Sequence, residues 1–458
     1  MKILSPLTVC LAVLLSAGCA DSLKSDYQPP EVKYPANWYQ ADAAEERMPF
    51  DWQAFNDPDL DGWLRQVMVR NNDVAGAVLR VYRARLEEER IGITNDPGLK
   101  GSLALDGKKQ LNSSAHWSRG SVASINTSYE LDLWGKIARQ RDAKAWARFA
   151  SEEDLRSARL TLLSNASNNY WRLGFINQQL SVLQQSIDYA KETLRLANAR
   201  YAAGGASSLD VVDAQQGVLS QENRLAALKN ERLQALNQQA VLLGTAPGSA
   251  IVEPKALPMG PLPQVSGKIP VNVLRHRPDI SAKEWRVREA LATVDVQRTA
   301  FYPAFSLTGS LGTSSSSSSL MAFLENPVGS VGANLTLPFL EWRERGMDVK
   351  IARNDYEQRV LEFKQELYKA MSSIEDALAL RHQLLEQETL LREGLELAKK
   401  SERLNEVRYR QGAVRISFWL DAQEKRRQAE LALYENRFNQ LNNLAKIYME
   451  FGGSVSFP

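Results

Sequence analysis

The chain contains little cysteine, little histidine and almost no net charge. Its 458 residues include two cysteines and three histidines, and the formal net charge is +2. Acidic and basic residues are interspersed, which gives no sign of the basic surface that holds nucleic acid phosphates, so we expect no nucleic acid partner. Cys10 lies in a segment predicted to be removed, so a disulfide framework is excluded.

Long apolar runs are also missing beyond the first residues. After Cys19, no uninterrupted apolar stretch reaches the roughly 20 residues that a membrane-spanning helix requires. If the mature chain crosses a membrane, it must therefore do so as β-strands.

Residues that could carry catalysis or bind a metal do not form a recognisable set. His116, His276 and His382 lie far apart and lack the spacing of metal ligands. No glycine-rich phosphate loop occurs, since Gly204-Gly205 falls between helical stretches and not after a strand. We therefore predict that the protein is not an enzyme and binds no metal.

The first 18 residues have the pattern of a cleaved targeting signal. Lys2 precedes an apolar stretch, residues 3–16, that is too short to span a bilayer as a helix. The sequence Leu15-Ser16-Ala17-Gly18-Cys19 then resembles a bacterial lipoprotein processing site, although its leucine stands one residue farther from the cysteine than is usual. This resemblance implies that Cys19 becomes a lipidated N-terminus. The alternative is ordinary cleavage that leaves a free thiol.

A motif of Arg-Tyr, Gly and Asp-Ala-Gln occurs twice, about 208 residues apart. Its copies are Arg200-Tyr201, Gly204 and Asp213-Ala214-Gln215, and then Arg408-Tyr409, Gly412 and Asp421-Ala422-Gln423. Around each copy the order is the same: a shorter helix, two strand-like runs, a very long helix, a turn and a second helix. The predicted organisation is a signal peptide at 1–18, a lipidated extended segment at 19–56, repeat 1 at 57–244, a linker at 245–270, repeat 2 at 271–453 and a tail at 454–458.

Two runs in each repeat alternate between apolar and small polar residues. They cover residues 99–106 and 123–133 in repeat 1, and 305–312 and 331–339 in repeat 2. Runs of about ten residues with one apolar and one polar face are typical of outer-membrane barrel strands, while strands of a soluble sandwich are the alternative.

Four strands are too few to close a membrane barrel, because the smallest barrels need about eight. An open sheet in lipid would leave backbone N–H and C=O groups unpaired along two edges, at a prohibitive cost in free energy. We therefore expect the chain to contribute its strands to a shared barrel, and three copies would supply about twelve strands.

The helices that follow the strands are unusually long. Residues 136–203 and 344–411 contain no proline and very few glycines, and each would extend roughly 100 Å at about 1.5 Å per residue. Apolar residues such as Phe363, Leu367 and Ile374 recur at threes and fours, which is typical of a coiled-coil-like seam.

Three features carry a resemblance to a known family. They are Arg277-Pro278-Asp279-Ile280 at the start of repeat 2, Tyr302-Pro303-Ala304-Phe305 at the entry to a strand, and the two Arg-Tyr…Gly…Asp-Ala-Gln turns. With the processing site, they resemble the TolC-type outer-membrane efflux factors, particularly the lipid-anchored NodT-like branch that serves pumps of the resistance-nodulation-division type. The resemblance covers essentially the whole mature chain.

The resemblance implies a mixed α and transmembrane β fold. An internally duplicated chain would form a homotrimer, with a shared 12-stranded outer-membrane β-barrel on a long periplasmic α-helical barrel. Its implied partners are a periplasmic adaptor (membrane fusion) protein, an inner-membrane pump and outer-membrane lipid. No cofactor is implied apart from the covalent lipid on Cys19.

The resemblance also implies a periplasmic gate at the two helix turns, built from aspartates and a Tyr/Arg network. The matching residues are Asp210, Asp213, Tyr409, Arg410 and Asp421. Three copies would bring like charges into one narrow ring, where they repel each other and bind cations. A compatible alternative is that Asp213 and Asp421 merely begin or cap helices.

The two repeats would build this gate unequally. Ala202 stands in the first turn where the second has Arg410, and Phe418 stands where Asp210 would map.

The expected function is a passive exit duct of a tripartite efflux pump for drugs or other toxic small molecules. A duct for secreted protein would share the fold. A non-conducting, lipid-anchored trimeric coiled-coil protein is a further alternative, but such a protein needs no membrane-spanning strands.

Overall fold

The computed structural model describes residues 23–32, 52–109, 117–249, 252–263, 274, 277–315 and 327–453. In chain order the elements are α1 Pro58–Arg70, α2 Asn72–Thr94, β1 Gly98–Lys108, β2 Ser118–Leu131, α3 Lys136–Ala202, α4 Ser208–Leu242, α5 Pro278–Thr299, β3 Ala304–Ser315, β4 Val328–Thr336, α6 Trp342–Arg410 and α7 Ile416–Glu450. The predicted mixed fold and the repeated order of elements are confirmed. Within these residues, no helix is both long and apolar enough to span a bilayer.

The single shorter helix predicted at the start of repeat 1 is interrupted at one residue, so that residues 58–94 form two helices. Asn71 is extended, with a ψ of 127°, and it separates α1 from α2. Its side-chain oxygen accepts hydrogen bonds from the backbone N–H groups of Asp73 (3.0 Å) and Val74 (3.1 Å). An asparagine that caps the next helix in this way competes with helix continuation, a choice that apolar periodicity does not reveal.

The chain divides into two compact units, and each repeat contributes to both. The first unit takes residues up to Val32, Leu79–Glu153 and Ser281–Glu366, and it holds the sheet. The second unit takes Lys33–Val78, Asp154–Ile280 and Leu367–Pro458, and it holds the two helix turns.

The sheet of the first unit has four antiparallel strands in the order β1-β2-β3-β4. One face presents small polar residues, including Ser102 and Ser124, whose hydroxyls lie 2.8 Å apart, and Ser310 and Ser330, whose hydroxyls lie 2.7 Å apart. The other face is apolar, since Leu103, Ala123, Ile125, Leu311 and Val331 share it by alternation and by the register of the ladders.

The core of the second unit is formed by aromatic and aliphatic residues from both repeats and from the N-terminal part of the chain. Trp63 is fully buried and donates its indole N–H to the carbonyl of Ala166 at 3.0 Å. Trp52, Phe55 and Tyr448 pack as a ring cluster with centroids about 5.5 to 6.2 Å apart. Burial of these large side chains stabilises the unit.

The predicted linker is seated against the helices of the second unit. Leu257 is buried, and Arg232 forms a bidentate ion pair with Glu253 at 2.6 Å. At Gly174, a Cβ atom would lie only 2.9 Å from the carbonyl oxygen of Ala256. The interior glycine of α3 therefore allows the linker backbone to lie directly on the helix.

A buried ion cluster joins the start of repeat 2 to its end. The Arg277 guanidinium binds the Asp279 carboxylate (2.7 and 3.1 Å) and the carboxylate of Glu450, and it also donates to the Glu450 carbonyl at 3.2 Å. Ser373 donates to the other Glu450 oxygen. Burial acts to lower the pKa of Arg277, but the two carboxylates outweigh burial and raise it, so the guanidinium remains charged.

We expect Arg277→Met to lower the stability of the second unit by about 3 kcal/mol or more, because it leaves the Glu450 carboxylate buried without its partner. The double variant with Glu450→Met should recover a large part of this loss. Arg195→Met removes an exposed pair with Glu192 and should leave stability nearly unchanged, because solvent screens such a pair. Thermal unfolding followed by circular dichroism tests the order, and equal losses for Arg277→Met and Arg195→Met would contradict it.

Candidate functional site at the helix turns

The two helix turns of the second unit have the same backbone structure. Gly204 and Gly412 adopt φ angles of 73° and 76°. In the first turn, the N–H groups of Gly205 and Gly204 bind the carbonyls of Arg200 (2.8 Å) and Tyr201 (3.0 Å), and the second turn repeats both bonds. This is the Schellman arrangement, in which a residue in the left-handed region ends a helix. Each glycine is therefore required by the turn itself.

Asp210 caps the first residues of α4. The backbone N–H of Asp210 donates to the Ser207 hydroxyl oxygen at 3.2 Å, and the Asp210 carboxylate accepts from the Ser207 N–H at 2.8 Å. These reciprocal bonds form a capping box, which satisfies donors that a helix N-terminus otherwise leaves free. The carboxylate is only partly buried, so capping leaves it open to a further interaction.

The other predicted acidic residues stand differently. Asp213 lies one turn farther along α4 and is partly buried. Its carboxylate makes no hydrogen bond or ion pair within the described part of the chain. Asp421 is exposed and pairs with Lys425 at 2.8 Å on the surface of α7. Neither carboxylate accepts a helix-capping hydrogen bond in the described chain.

Tyr409 lies between the two turns of the same chain. It is 4% exposed, and its ring stacks on Trp419 with centroids 5.5 Å apart. The Arg200 guanidinium lies 4.7 Å from the Tyr409 ring centroid and donates to the Tyr409 carbonyl at 2.7 Å. A charged donor on a backbone carbonyl and a cation over a ring both favour this contact, so Arg200 ties the first turn to the second.

Arg410 points away from this contact. Its guanidinium is exposed and pairs with Glu406, one turn earlier on α6, at 2.7 Å. Tyr409 and Asp210 line one cavity of about 410 Å³ between the turns, together with Arg200, Arg415 and Phe418. Arg410, Asp213 and Asp421 do not line this cavity, so the described chain brings together two of the five predicted gate residues.

Arg200 makes a contact between the turns that sequence reasoning missed. It belongs to the repeated Arg-Tyr pair, but the two copies are used in opposite ways. In repeat 1, Arg200 makes the contact and Tyr201 is 53% exposed, whereas in repeat 2 Tyr409 is buried and Arg408 is exposed. The repetition indicated that the position matters, but only the packing distinguishes the two roles.

A second set of ion pairs links the helices next to the turns. Arg426 of α7 binds Glu402 of α6 at 2.6 Å, and Arg224 of α4 binds Glu424 of α7 at 3.2 Å. Burial raises the pKa of Glu402 against the opposing influence of Arg426. These ion pairs hold neighbouring helices together. No group of three or more potential metal ligands occurs among the described residues.

The predicted lipid attachment residue, Cys19, lies outside the described residues, as do His116 and His276. The structure therefore locates only the helix-turn part of the predicted sites.

Comparison with known proteins follows the same boundaries as the internal duplication. The family model described as "Outer membrane efflux protein" matches residues 63–245 and 269–453. The chain is similar to the pyoverdine export outer membrane protein OpmQ of Pseudomonas aeruginosa, with 29% identity over 99% of this chain and 97% of that protein. It is similar to the cation efflux system protein CusC of Escherichia coli, with 27% identity over 98% of each.

The crystal structure of the Campylobacter jejuni CmeC outer membrane channel has the same fold. It superposes with a TM-score of 0.82, covers 94% of each chain and is 23% identical. The two family matches together span most of the chain and include both turns and all four strands. This chain therefore belongs to the outer membrane efflux protein family, a family of outer-membrane efflux ducts, as its sequence predicted.

Proposed function

We propose that three copies of this chain form the exit duct of a tripartite efflux pump and passively export drugs or other toxic small molecules across the outer membrane. A periplasmic adaptor and an inner-membrane pump would complete the assembly and supply the energy. The single observation that carries the proposal is the four-stranded sheet, which has one apolar and one polar face and, among the described residues, two unpaired edges. The names of the relatives mention pyoverdine and cations, so family membership does not fix one substrate.

The outer strands of the sheet are incomplete within one chain. Every residue of β1 and of β4 is exposed, and Leu103 and Val331 are 60% and 94% exposed. The corresponding residues of the inner strands, Ile125 and Leu311, are 48% and 49% exposed. In lipid, the free N–H and C=O groups of β1 and β4 must find partners, and a second copy supplies them if its β1 pairs with this β4.

The duplication also gives the register of that pairing. Ser310 follows Ser102 by 208 residues, and Ser330 follows Ser124 by 206. The hydroxyl contact between Ser102 and Ser124 in repeat 1 recurs between Ser310 and Ser330 in repeat 2. The contact between repeats within the chain pairs Ile125 with Leu311. Ile125 corresponds to Val331 in repeat 2 (offset 206), and Leu311 corresponds to Leu103 in repeat 1 (offset 208). The equivalent contact between copies would therefore pair Val331 of one copy with Leu103 of the next. In this register apolar side chains lie opposite apolar side chains. The last residue of β4, Thr336, lies opposite the first residue of β1, Gly98, so the ends of the two strands coincide.

We expect the variant carrying Val331→Cys and Leu103→Cys to form disulfide-linked trimers in outer-membrane preparations on mild oxidation. Directly opposed strand residues lie about 4.5 to 5.5 Å apart at Cα, which a disulfide tolerates. Val331→Cys with Leu105→Cys, two residues out of register, is the matched control and should crosslink less on non-reducing gels. More efficient crosslinking by the control, or none by either while channels conduct, would refute the register.

The helix turns would form the periplasmic gate of the duct. In a trimer, Asp210, Asp213 and Asp421 would recur three times around one opening, and Tyr409 and Arg410 would flank it. Two features support this role for the turns. Asp213 makes no contact that satisfies its charge in the described chain, and the Arg200–Tyr409 contact restrains the two turns against each other.

We expect Arg200→Met to raise the resting single-channel conductance in planar bilayers, because it removes the contact that holds the turns together. Tyr409→Phe is the matched control. The Tyr409 hydroxyl is buried and lacks a hydrogen-bond partner in the described chain, and Arg200 binds the Tyr409 carbonyl, so phenylalanine should leave conductance unchanged. Opening by Tyr409→Phe and not by Arg200→Met would show that the hydroxyl, in contact with another copy, closes the gate.

We expect Asp213→Asn with Asp421→Asn to weaken cation selectivity, because an acidic ring concentrates cations at a constriction. These substitutions leave the Asp210 capping box intact, so helix stability should not change. Reversal potentials in a salt gradient measure the effect, and Asp106→Asn in β1 is a control outside the turns. Unchanged selectivity in the double variant would remove these carboxylates from the gate.

Cys19 would carry the lipid that anchors the protein in the outer membrane. We expect mass spectrometry of the mature N-terminal peptide to find acyl chains on Cys19 and to lose them in Cys19→Ser. Cys10→Ser, within the signal, should leave the modification unchanged. An unmodified Cys19 thiol in the mature wild-type protein would contradict lipidation.

A further inference from the structure

The segment that follows Cys19 is bound to α5 of the first unit. Ser25 donates its backbone N–H (2.8 Å) and its hydroxyl (2.6 Å) to the two oxygens of the Asp295 carboxylate. Arg298, one turn later on α5, donates to the Ser25 hydroxyl oxygen at 2.9 Å and lies 3.5 Å from Asp295. Asp295 is only 2% exposed, so its charge is satisfied mainly by Ser25 and Arg298.

Tyr27 provides a second contact, two residues farther along. The Arg288 guanidinium lies 4.3 Å from the Tyr27 ring centroid and 4.8 Å from that of Trp285. Trp285 in turn stacks on Trp146 at 5.3 Å with an interplanar angle of 8°. Burial, reinforced by the charge of Glu284, raises the pKa of Tyr27, whose hydroxyl stays protonated and donates to Glu284 at 3.4 Å.

These contacts form a seat for residues 24–27, made by Asp295, Arg298, Arg288 and Trp285. Lys24 adds an ion pair with Asp142 at 3.9 Å. The buried Asp295 carboxylate distinguishes the seat from a chance surface contact, because an unpaired buried charge is costly. Ser25, in the segment 24–27 that we call the strap, supplies two of the hydrogen bonds to this carboxylate.

The seat is specific to repeat 2. Asp73 and Asp279, at the starts of α2 and α5, are 206 residues apart. By this offset, the positions in repeat 1 that correspond to Asp295 and Arg288 are Glu89 and Tyr82. Glu89 is exposed and Tyr82 is 56% exposed. The duplication alone therefore does not require the seat, and its residues differ where the repeats otherwise correspond.

We propose that this seat positions the lipid anchor: it clamps the chain at residues 24–27 so that acyl chains on Cys19 are held beside the corner where α5 leads into β3. This inference rests on the proposed lipidation of Cys19. Asp295 lies in the last turns of α5, and β3 begins at Ala304. Cys19 precedes Ser25 by six residues, so it stays within about 20 Å of the seat.

The seat shortens the tether of the anchor considerably. With it, the tether from Cys19 to Ser25 is about 6 residues long, a reach of about 20 Å. The effective concentration of a tethered group falls roughly as the −3/2 power of tether length, so a longer tether would lower the concentration of acyl chains near the strand corner. The seat would thereby speed entry of the strands into the membrane.

The first test asks whether the seat exists in the full-length, processed protein. Hydrogen exchange in detergent should show the Ser25 amide protected in the wild type and exchanging about tenfold or more faster in Asp295→Ala. Thr293→Ala, an exposed position on the same helix, is the matched control and should not change exchange. Ser25→Ala and Tyr27→Ala alter only the strap, so they serve if Asp295→Ala does not fold. Unchanged protection in Asp295→Ala, or in both strap variants if these are used instead, would overturn the seat.

The second test separates seating from positioning. Ten Gly/Ser residues inserted between Ser22 and Leu23 lengthen the tether from about 6 to about 16 residues and leave the seat intact. We expect Ser25 to stay protected while pulse-chase labelling shows outer-membrane trimers forming about fourfold more slowly. Trimers forming at the wild-type rate would overturn the positioning role.

Conductance and the mass of the N-terminal peptide, measured on the same preparations, report on the proposed function separately. A failure to conduct would reject the duct and leave the seat intact. Loss of exchange protection at the seat, without loss of conductance in assembled channels, is the outcome expected of Asp295→Ala.

Discussion

A strand in a lipid bilayer must hydrogen-bond on both sides, and this constraint explains more of the chain than any other. The sheet forms three ladders internally, β1-β2, β2-β3 and β3-β4, and within the part of the chain that the structure describes one edge of β1 and one of β4 are unpaired. Because the two repeats already pair through β2 and β3, the same contact can be repeated between copies. The protein is duplicated, and the proposed assembly would extend the duplication.

The helix turns show how duplicated backbone acquires different chemistry. Both turns end with a glycine in the left-handed region and the same pair of backbone hydrogen bonds. Their side chains then diverge: repeat 1 uses Arg200 as a donor, and repeat 2 uses Tyr409 as the surface that receives it. The same Arg-Tyr pair occurs in both turns, so the difference lies in which residue of each pair the packing uses.

Charge is placed in this chain according to burial. Where carboxylates are buried, as at Glu450 and Asp295, they are held by guanidinium groups and hydroxyls. At the turns, Asp213 and Asp421 are left partly or fully exposed, so their charge remains available to ions or to another copy. The first kind of site belongs to the interior of the fold, while the second is the kind that the proposed gate requires.

The sequence by itself determined the class of fold, the duplication and the family. Apolar residues that alternate with polar ones predict the strands, and apolar residues that recur every three or four positions predict the helices. The long segments without proline and with very little glycine predict the lengths of the helices. It also located the turn residues, because the turn motif occurs twice. These signals are local, so they can be read without knowing what lies nearby.

Only the tertiary structure decided which residues at those positions act together. Asn71 interrupts a helix because its amide caps the next one, and Gly174 is required because Ala256 lies on it. The partnership of Arg200 with Tyr409 joins residues about 209 apart, and that of Ser25 with Asp295 joins residues about 270 apart. Such contacts depend on how elements pack, and packing leaves no periodic trace in the chain.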